Sequence, residues 1–492
     1  MRGSSTRLRR LCVGAIAGLG MALIPVGASA ATITINGTAT DSFGLTFAYK
    51  IEAPPAASWN HTLVLYSHGY SFTPSAATDV GDAATGAWLL ANGYALAGSS
   101  YSTSGWALQQ AFADQIQVLD LFDAQVGHPT RTIAWGHSLG GMITAGLVQL
   151  FPERFTAALP MCGVVAGGPG VWNQGLDSEF ALAVLQAPGA FRLVDFTATS
   201  PGDPLTNYGN ALAALTAAQG TLQGRARIAL SAALADVPGW FDPTSPQPAA
   251  NDYTNQEINQ FLWDKSPDFA FGFFGRAELE ARAGGNFSWN TGVDYRAQLA
   301  HSVDRAEVQV LYKAAGLDLN KELEKLNDAP RIAITNPAAK AYISKYITYN
   351  GNIDMPVLTM HTTGDGLVEV TDENAYANVV RSAGDSSLLR QVFVHRAGHC
   401  TFSPAETVTA FQSLIHRLDS GHWDSLNPTT MNAAATALGP TFNVIGVTNP
   451  TPPPANLIVP ATAGFINFKP AQFLRPFDAR NLEQGDGEGG GD

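Results

Sequence analysis

The 492-residue sequence is poor in cysteine, in basic residues and in long apolar runs. Its three cysteines are Cys12, Cys162 and Cys400, so removal of the N-terminus would leave a single possible pair. The 28 Lys and Arg residues are outnumbered by 41 Asp and Glu, and the net charge of −13 disfavours binding to nucleic acid or to an anionic membrane. Beyond residue 30, no apolar stretch is long enough for a membrane span.

The first 30 residues have the pattern of a signal peptide. Four arginines lie within residues 2–10, residues 11–25 are mostly apolar, and residues 28–30 form a small-residue cleavage site. We therefore expect an exported protein, extracellular or periplasmic, that begins near Ala31. The sequence leaves the Sec and twin-arginine routes both open, and a buried first helix is the structural alternative.

A strand, a tight turn and a helix are predicted over residues 131–146, RTIAWGHSLGGMITAG. The turn contains the Gly-x-Ser-x-Gly pattern from Gly136 to Gly140, and apolar helical spacing follows it. Small residues suit a sharp turn that leaves the Ser138 hydroxyl exposed at a helix N-terminus. The motif alone can arise by chance in a glycine-rich chain. Its context predicts that Ser138 is a nucleophile, and a helix-capping serine is the alternative.

Two later apolar runs, residues 355–361 and 391–394, are predicted strands that end close to Asp365 and His399. A serine hydroxyl needs an adjacent base, and we predict that His399 is this base and that Asp365 orients it. Several other residues are weaker candidates or have structural interpretations. They are His395 for the base, Asp372, Glu369 and Asp385 for the acid, His361 as a core histidine, and His137 as a residue packed beside the turn.

The backbone N–H groups of Tyr70 and Leu139 are the predicted oxyanion hole. Leu139 follows the nucleophile, and Tyr70 follows His68 and Gly69 at the end of another predicted strand. Cys162 also ends a predicted strand, and Cys400 follows His399, so both should lie at the carboxyl edge of the sheet. We predict a Cys162–Cys400 disulfide, with two inert thiols as the alternative.

The order of predicted elements indicates an α/β fold with a doubly wound, mostly parallel sheet and a large helical cap insertion. The cap is rich in aromatic residues, which favours an apolar substrate pocket or packing within the cap itself. The expected organisation is a signal peptide (1–30), the first half of the core (31–163), the cap (164–354), the second half of the core (355–420), a C-terminal extension (421–480) and a disordered acidic tail (481–492).

The chain resembles the α/β-hydrolase superfamily in four motifs: HGY at 68–70, GHSLGG at 136–141, TTGDGLV at 362–368 and AGHC at 397–400. The resemblance covers residues 32–163 and 355–418 and is greatest to exported bacterial serine esterases and to peptidases of the prolyl and tripeptidyl types. It implies a triad in the chain order Ser138, Asp365, His399. A Cys after the catalytic His is also a feature of the tannase and feruloyl-esterase group, but there the partner Cys precedes the nucleophile, where this chain has His137.

The sequence therefore predicts a secreted serine hydrolase that cleaves a carboxylic ester through an acyl-enzyme, without metal or cofactor. The aromatic cap favours a small-molecule or polymeric ester with an apolar or aromatic part. The first alternative is a peptidase that releases residues from a peptide N-terminus. It requires a cap carboxylate to hold the free amine, and Glu179, Glu257 and Asp264 are available. The second is a catalytically silent binding module on the same fold.

Overall fold

The computed structural model describes residues 32–196, 203–449 and 455–477. The predicted signal peptide, the Pro-rich residues 450–454 and the predicted tail lie outside the described residues. In the described ranges, no helix is both long enough and apolar enough to cross a membrane.

A nine-stranded sheet organises the described chain, with strand order β1-β2-β4-β3-β5-β6-β7-β8-β11. Strands β3 to β8 are parallel, whereas β1, β2 and β11 pair antiparallel at the two edges. The strands of this sheet are β1 Ile33–Thr40, β2 Thr46–Ala53, β3 Thr62–Ser67, β4 Ala95–Ser99, β5 Arg131–His137, β6 Ala157–Met161, β7 Val357–Gly364, β8 Leu389–Ala397 and β11 Phe465–Ile466. A separate hairpin joins β9 Val444–Asn449 and β10 Ala455–Pro460.

Helices cover the sheet and fill the interval between β6 and β7. The described helices are α1 Ala83–Ala91, α2 Leu108–Gln125, α3 Leu139–Leu150, α4 Gly168–Gln186, α5 Asp203–Gln219, α6 Leu222–Ala233, α7 Tyr253–Trp263, α8 Arg276–Ala283, α9 Tyr295–His301, α10 Arg305–Ala315, α11 Leu319–Asp328, α12 Pro337–Lys345, α13 Asp372–Ala383, α14 Pro404–Ser420 and α15 Pro428–Ala437. The predicted α/β fold with a mostly parallel sheet is confirmed.

The central strands form because their side chains are apolar on both faces. Every residue of β3, β4 and β6 is buried, as expected for parallel strands covered by helices on both sides. Strand β2, which lies next to the edge strand β1, instead alternates between buried and more exposed positions. The carboxyl ends of the parallel strands meet at one rim of the sheet, where the predicted site residues lie.

The sequence predicts helical segments over residues 210–234 and 305–326 of the cap, but each is broken into two in the structure. Residues 210–234 form parts of α5 and α6 because Thr221 caps a new helix, its hydroxyl accepting from the Gly224 amide. Residues 305–326 are divided between α10 and α11 because Gly316 ends the first in the left-handed conformation, with φ 68°. Apolar periodicity continues across each break, so it does not show where the backbone turns.

The C-terminal extension packs on both the sheet and the cap. The sequence predicts a strand over residues 464–468, and strand β11 within this range pairs with β8. Further on, the guanidinium of Arg475 forms an ion pair with Asp177 of α4 and donates to the Trp289 carbonyl at 2.9 Å. The extension therefore ties cap helix α4 to the hydrolase core.

Candidate active site

Ser138 stands at a strained turn between β5 and α3. Its φ of 58° and ψ of −125° lie in a region that non-glycine residues rarely adopt. The turn is held by hydrogen bonds from the Ser138 amide to the Met161 carbonyl (3.0 Å) and from the Met142 amide to the Ser138 carbonyl (3.1 Å). This is the geometry of a nucleophile elbow, with the serine at its apex.

Glycines at positions 136 and 140 allow the chain to turn this sharply. A Cβ atom on Gly140 would lie 2.0 Å from the Ser67 carbonyl oxygen, and one on Gly136 would lie 2.3 Å from the Gly140 carbonyl oxygen. Both contacts are with backbone that cannot easily move. Close approach of β3, β5 and α3 therefore requires these two residues to lack side chains.

His399 and Asp365 form a hydrogen-bonded pair at the same rim. The His399 Nδ1 atom lies 2.7 Å from Asp365 Oδ2, and Gly398, with φ 97°, shapes the turn before the histidine. The other carboxylate oxygen, Oδ1, accepts from the Leu367 and Val368 amides, each at 3.1 Å. Asp365 is therefore fixed on both sides, and it holds the imidazole with Nε2 available for proton transfer.

Asp365 is ionised although it is only 1% exposed. Burial raises its pKa, but the charges and hydrogen bonds of His399 and His361 outweigh burial and lower the value to about 2. His361 Nε2 lies 3.6 Å from Asp365 Oδ2. The histidine predicted to be a core residue is thus buried as expected and also borders the predicted catalytic acid.

A disulfide joins Cys162 to Cys400, as predicted, with a Cα–Cα distance of 5.3 Å. Cys162 follows Met161, whose carbonyl accepts the Ser138 amide, and Cys400 follows His399. The Sγ atom of Cys400 lies 3.4 Å from His399 Nε2. The bond therefore connects the histidine loop covalently to the strand beside the nucleophile.

The two amides predicted for the oxyanion hole are on either side of the elbow. A Cβ atom on Gly69 would be 3.3 Å from Ser138 Cβ, which places the Tyr70 loop against the nucleophile. In the part of the chain that the structure describes, neither the Tyr70 nor the Leu139 backbone N–H donates to an acceptor. His68 stacks on Tyr101, with ring centroids 3.9 Å apart, and supports this loop.

The alternative histidines lie in other surroundings. His395 is exposed on β8 and packs against Trp240, with ring centroids 5.0 Å apart. His137 packs against Trp135 at 5.5 Å, and burial, with a smaller effect of His399, lowers its pKa to about 4. His137 is therefore neutral near pH 7 and belongs to the packing beside the elbow.

The alternative acids are not hydrogen-bonded to His399. The Asp372 carboxylate accepts from the Ala166 amide at 3.0 Å, and that of Asp385 accepts from the Ile353 amide at 3.3 Å. Glu369 lines the pocket next to Ser138. Among these acids, Asp365 is the one whose hydrogen bond reaches the imidazole.

A pocket opens beside Ser138 and is partly aromatic. Its lining includes Tyr70 and Leu139 from the core and Trp172, Phe269 and Phe271 from the cap. Other cap aromatics pack within the cap instead; Phe273, for example, is fully buried among Phe191, Phe196 and Tyr208. Aromatic residues of the cap therefore contribute both to the lining of this pocket and to packing within the cap.

The pocket also contains four carboxylates, two of which the sequence did not single out for this place. Glu179, Asp264, Asp268 and Glu369 all line it. Two of the three acids considered for amine binding, Glu179 and Asp264, are among them. The third, Glu257, bonds instead to Arg225 at 2.6 Å. Asp264 and Asp268 follow α7 on either side of a kink at Ser266, whose φ of −173° and ψ of 119° are extended rather than helical.

The fold and the nucleophile elbow make this chain a member of the α/β-hydrolase superfamily and, within it, a serine hydrolase. Residues 93–167, which include the elbow, match the prolyl oligopeptidase family. The chain is 29% identical over 415 residues to an o-phthalyl amidase of Xanthobacter agilis, a match that covers 79% of this chain and 89% of the relative.

Solved structures with a similar arrangement include two esterases. An esterase from Aspergillus oryzae aligns with a TM-score of 0.40 and 13% identity over 88% of this chain and 84% of its own. The rice cell wall degrading esterase LipA from Xanthomonas oryzae aligns with a TM-score of 0.37 and 11% identity over 79% of this chain and 90% of its own.

Proposed function

We propose that this protein is a secreted serine hydrolase that cleaves a carboxylic ester through the triad Ser138, His399 and Asp365. The observation that carries the proposal is the 2.7 Å hydrogen bond between His399 Nδ1 and Asp365 at the rim that bears the strained Ser138 elbow. Nδ1–H bonded to a carboxylate leaves Nε2 as the base, which is the tautomer that acyl transfer requires.

In this mechanism Ser138 attacks the carbonyl carbon while His399 takes the hydroxyl proton. The amides of Tyr70 and Leu139 stabilise the oxyanion, and His399 returns the proton to the leaving group. Water then attacks the acyl-enzyme, with His399 again as base, and releases the acid and free Ser138. Asp365 orients the imidazole and stabilises its protonated form without taking the proton.

A fluorophosphonate probe tests the nucleophile directly. We expect the folded protein to be labelled on Ser138, as located by peptide mapping, and the Ser138→Ala variant to remain unlabelled. Ser413→Ala, which removes a hydroxyl that donates to a carbonyl on α14, is a matched control and should label normally. Failure of the folded wild-type protein to label would favour the silent binding module.

Amide or peptide hydrolysis is the second candidate function. It is favoured by the match of residues 93–167 to the prolyl oligopeptidase family and by the similarity to an amidase. A panel of 4-nitrophenyl esters and aminoacyl 4-nitroanilides separates the two functions. Ester hydrolase activity predicts turnover of the esters alone, whereas a peptidase should also release nitroaniline at a comparable kcat/KM.

Export is part of the proposal, and it rests on the predicted signal peptide together with the disulfide, which suits an oxidising compartment. N-terminal sequencing of the protein recovered from the producing cell's periplasm or medium should begin near Ala31. An N-terminus at Met1 in a cytoplasmic fraction would contradict it.

A further inference from the structure

Two buried tryptophans of the cap pack against the loop that carries Asp365. This loop, residues 364–368, begins at the last residue of β7. Trp263 is the last residue of α7, and Trp240 lies in the connection between α6 and α7. They are 3% and 6% exposed. Neither lines the pocket beside Ser138, so contact with substrate does not account for their position.

The two indoles meet the loop at the glycines on either side of Asp365. A Cβ atom on Gly366 would lie 2.5 Å from Trp263 Cδ2, and one on Gly364 would lie 3.2 Å from Trp240 Cε3. Neither glycine has a positive φ, so backbone conformation does not require glycine at these positions. The close approach of the two rings does, because the rings occupy the space that side chains would need.

The tryptophans are also fixed to each other and to the cap. Trp263 Nε1 donates to the Trp240 carbonyl at 3.0 Å, and Trp240 Nε1 donates to the Ser245 carbonyl at 2.9 Å. Phe241 packs edge-on against Trp263, with ring centroids 4.9 Å apart, and its amide donates to Asn259 Oδ1 on α7 at 2.9 Å. The two rings therefore act on the loop as one unit and cannot shift independently.

The loop itself fixes only part of the position of Asp365. Its Leu367 and Val368 amides hold one carboxylate oxygen, but these bonds move with the loop. Leu367 packs in turn against a buried cluster of the cap that includes Val237 and Trp263. The residue whose amide binds the carboxylate is thus held by the cap, so the cap sets where the loop lies.

The same cap segment reaches the turn before His399. A Cβ atom on Gly398 would lie 3.9 Å from Pro243 Cγ, three residues after Trp240. Trp240 also packs against His395 on β8, with ring centroids 5.0 Å apart. Both partners of the hydrogen bond between His399 and Asp365 therefore follow backbone that the cap covers.

We infer that Trp263 and Trp240 are positioning residues, which hold the Asp365 loop where its carboxylate can bond to His399 Nδ1. The inference rests on the proposed serine hydrolase function. The two indoles touch neither substrate nor reacting atoms and act through Asp365. Besides lining the substrate pocket, the cap therefore completes the triad, and disturbing this contact should affect kcat rather than KM.

Trp263→Leu removes the ring that lies over Gly366. We expect kcat for 4-nitrophenyl butyrate to fall by about 10- to 100-fold and KM to change by less than about threefold, because small displacements of catalytic groups are costly to the rate. Trp263→Phe keeps a ring over the glycine and should restore most of the activity. Trp289→Leu, at a cap tryptophan that packs on Phe477, is the matched control and should retain the wild-type kcat.

A second background tests whether the indole acts through Asp365. In the Asp365→Asn protein, Trp263→Leu should lower the remaining kcat by less than about threefold, since residues that act as a unit are not additive. The rate of Ser138→Ala is subtracted as the blank. Equal factors of loss in the two backgrounds would show general damage to the site and would overturn the inference.

Gly366→Ala tests the same contact from the side of the loop and leaves the cap core complete, in case Trp263→Leu does not fold. The added methyl group meets the Trp263 ring, and kcat should fall by about tenfold or more. In the Asp365→Asn background the same change should again have little effect. A folded Gly366→Ala protein with the wild-type kcat would overturn the inference, because the loop could then leave its place without consequence.

Probe labelling separates failure of this inference from failure of the proposed function. If Ser138 is labelled but folded Trp263→Leu keeps the wild-type kcat, the inference alone is overturned. If Ser138 is labelled and the butyrate ester is not hydrolysed, the rate constant of labelling replaces kcat in the same comparisons. If Ser138 is not labelled and the ester is not hydrolysed, the serine hydrolase proposal fails and the inference fails with it.

Discussion

His361 and Glu373 form a fully buried ion pair beneath the predicted catalytic acid, with His361 Nδ1 3.1 Å from Glu373 Oε1. The other ring nitrogen lies 2.9 Å from the Val368 carbonyl oxygen. Glu373 also accepts from the Thr359 hydroxyl and the Gln391 amide. Because both ring nitrogens face acceptors, His361 must be doubly protonated, and its pKa is raised to about 10: burial lowers it, but Asp365 and Glu373 outweigh burial.

Replacing His361 by Gln should therefore change the pH dependence of catalysis. Loss of this positive charge and of its contact with Asp365 raises the pKa of that carboxyl, so the acidic limb of the kcat/KM profile should move to higher pH. The free energy of unfolding should also fall by about 3–5 kcal/mol, because Glu373 loses its buried partner. His395→Gln, at the exposed histidine on β8, is the control and should leave the limb in place. A profile that changes only in height would show that His361 has a purely structural role.

Asp365→Asn should reduce kcat by about 10³- to 10⁴-fold. The side-chain amide of the new asparagine can donate to His399 Nδ1. This favours the tautomer of His399 that carries its proton on Nε2, and Ser138 is then left without a base. Kinetics with a 4-nitrophenyl ester measure the loss. Asp385→Asn, which alters a carboxylate bonded to the Ile353 amide, should retain most of the activity. If the two variants lost activity equally, Asp365 would not be the orienting acid.

The Cys162→Ala/Cys400→Ala double variant should lose stability and activity together. Removing the cross-link should lower the free energy of unfolding by about 2–5 kcal/mol. Without the cross-link the His399 loop should be more mobile, and kcat should fall by about 10- to 100-fold, because small displacements of a catalytic base greatly reduce the rate. Urea unfolding and ester kinetics measure these effects. A reducing agent should impair the wild-type protein and leave the double variant unaffected.

The free energy of unfolding should fall as pH rises from about 5 to 8.5. Burial raises the folded-state pKa values of Glu179 and Asp264 to about 7 and about 8, above the ordinary values of 4.5 and 3.8. The stability that these two groups contribute is fully present at pH values below their ordinary pKa values, and it is lost as pH rises through their raised pKa values. Each unit by which a pKa is raised corresponds to roughly 1.4 kcal/mol. Glu179→Gln/Asp264→Asn should flatten this dependence in urea unfolding, and Glu324→Gln, at an exposed site on α11, should not. Equal slopes in all three proteins would contradict the raised values.

The positions of Ser138, Asp365 and His399 at the rim of the sheet could be predicted from sequence because each motif follows a recognisable strand. Ser138, Asp365 and His399 come after the apolar runs that became β5, β7 and β8. Parallel strands bring their carboxyl ends to one rim, so local patterns were sufficient to suggest the hydrogen bond between His399 and Asp365.

The pocket carboxylates could not be selected in this way. Asp264 and Asp268 lie on either side of a kink at Ser266, where the backbone leaves helical geometry, so helical periodicity does not relate their positions to those of α7. Glu179 is in a regular helix, but α4 is buried on nearly all sides, so its apolar pattern does not indicate which face meets the pocket. The charge of His361 depends on contacts with Val368 and Glu373, and these contacts arise only when the loop after β7 and helix α13 pack together.

The cross-link between Cys162 and Cys400 also has a consequence for the integrity of the chain. The two half-cystines are 238 positions apart, and α4 to α13 all lie in the enclosed loop. A protease that cut any exposed turn of this loop would leave the two halves of the hydrolase core covalently attached. An enzyme of this design can be nicked in its cap without releasing either the serine or the histidine fragment from the other.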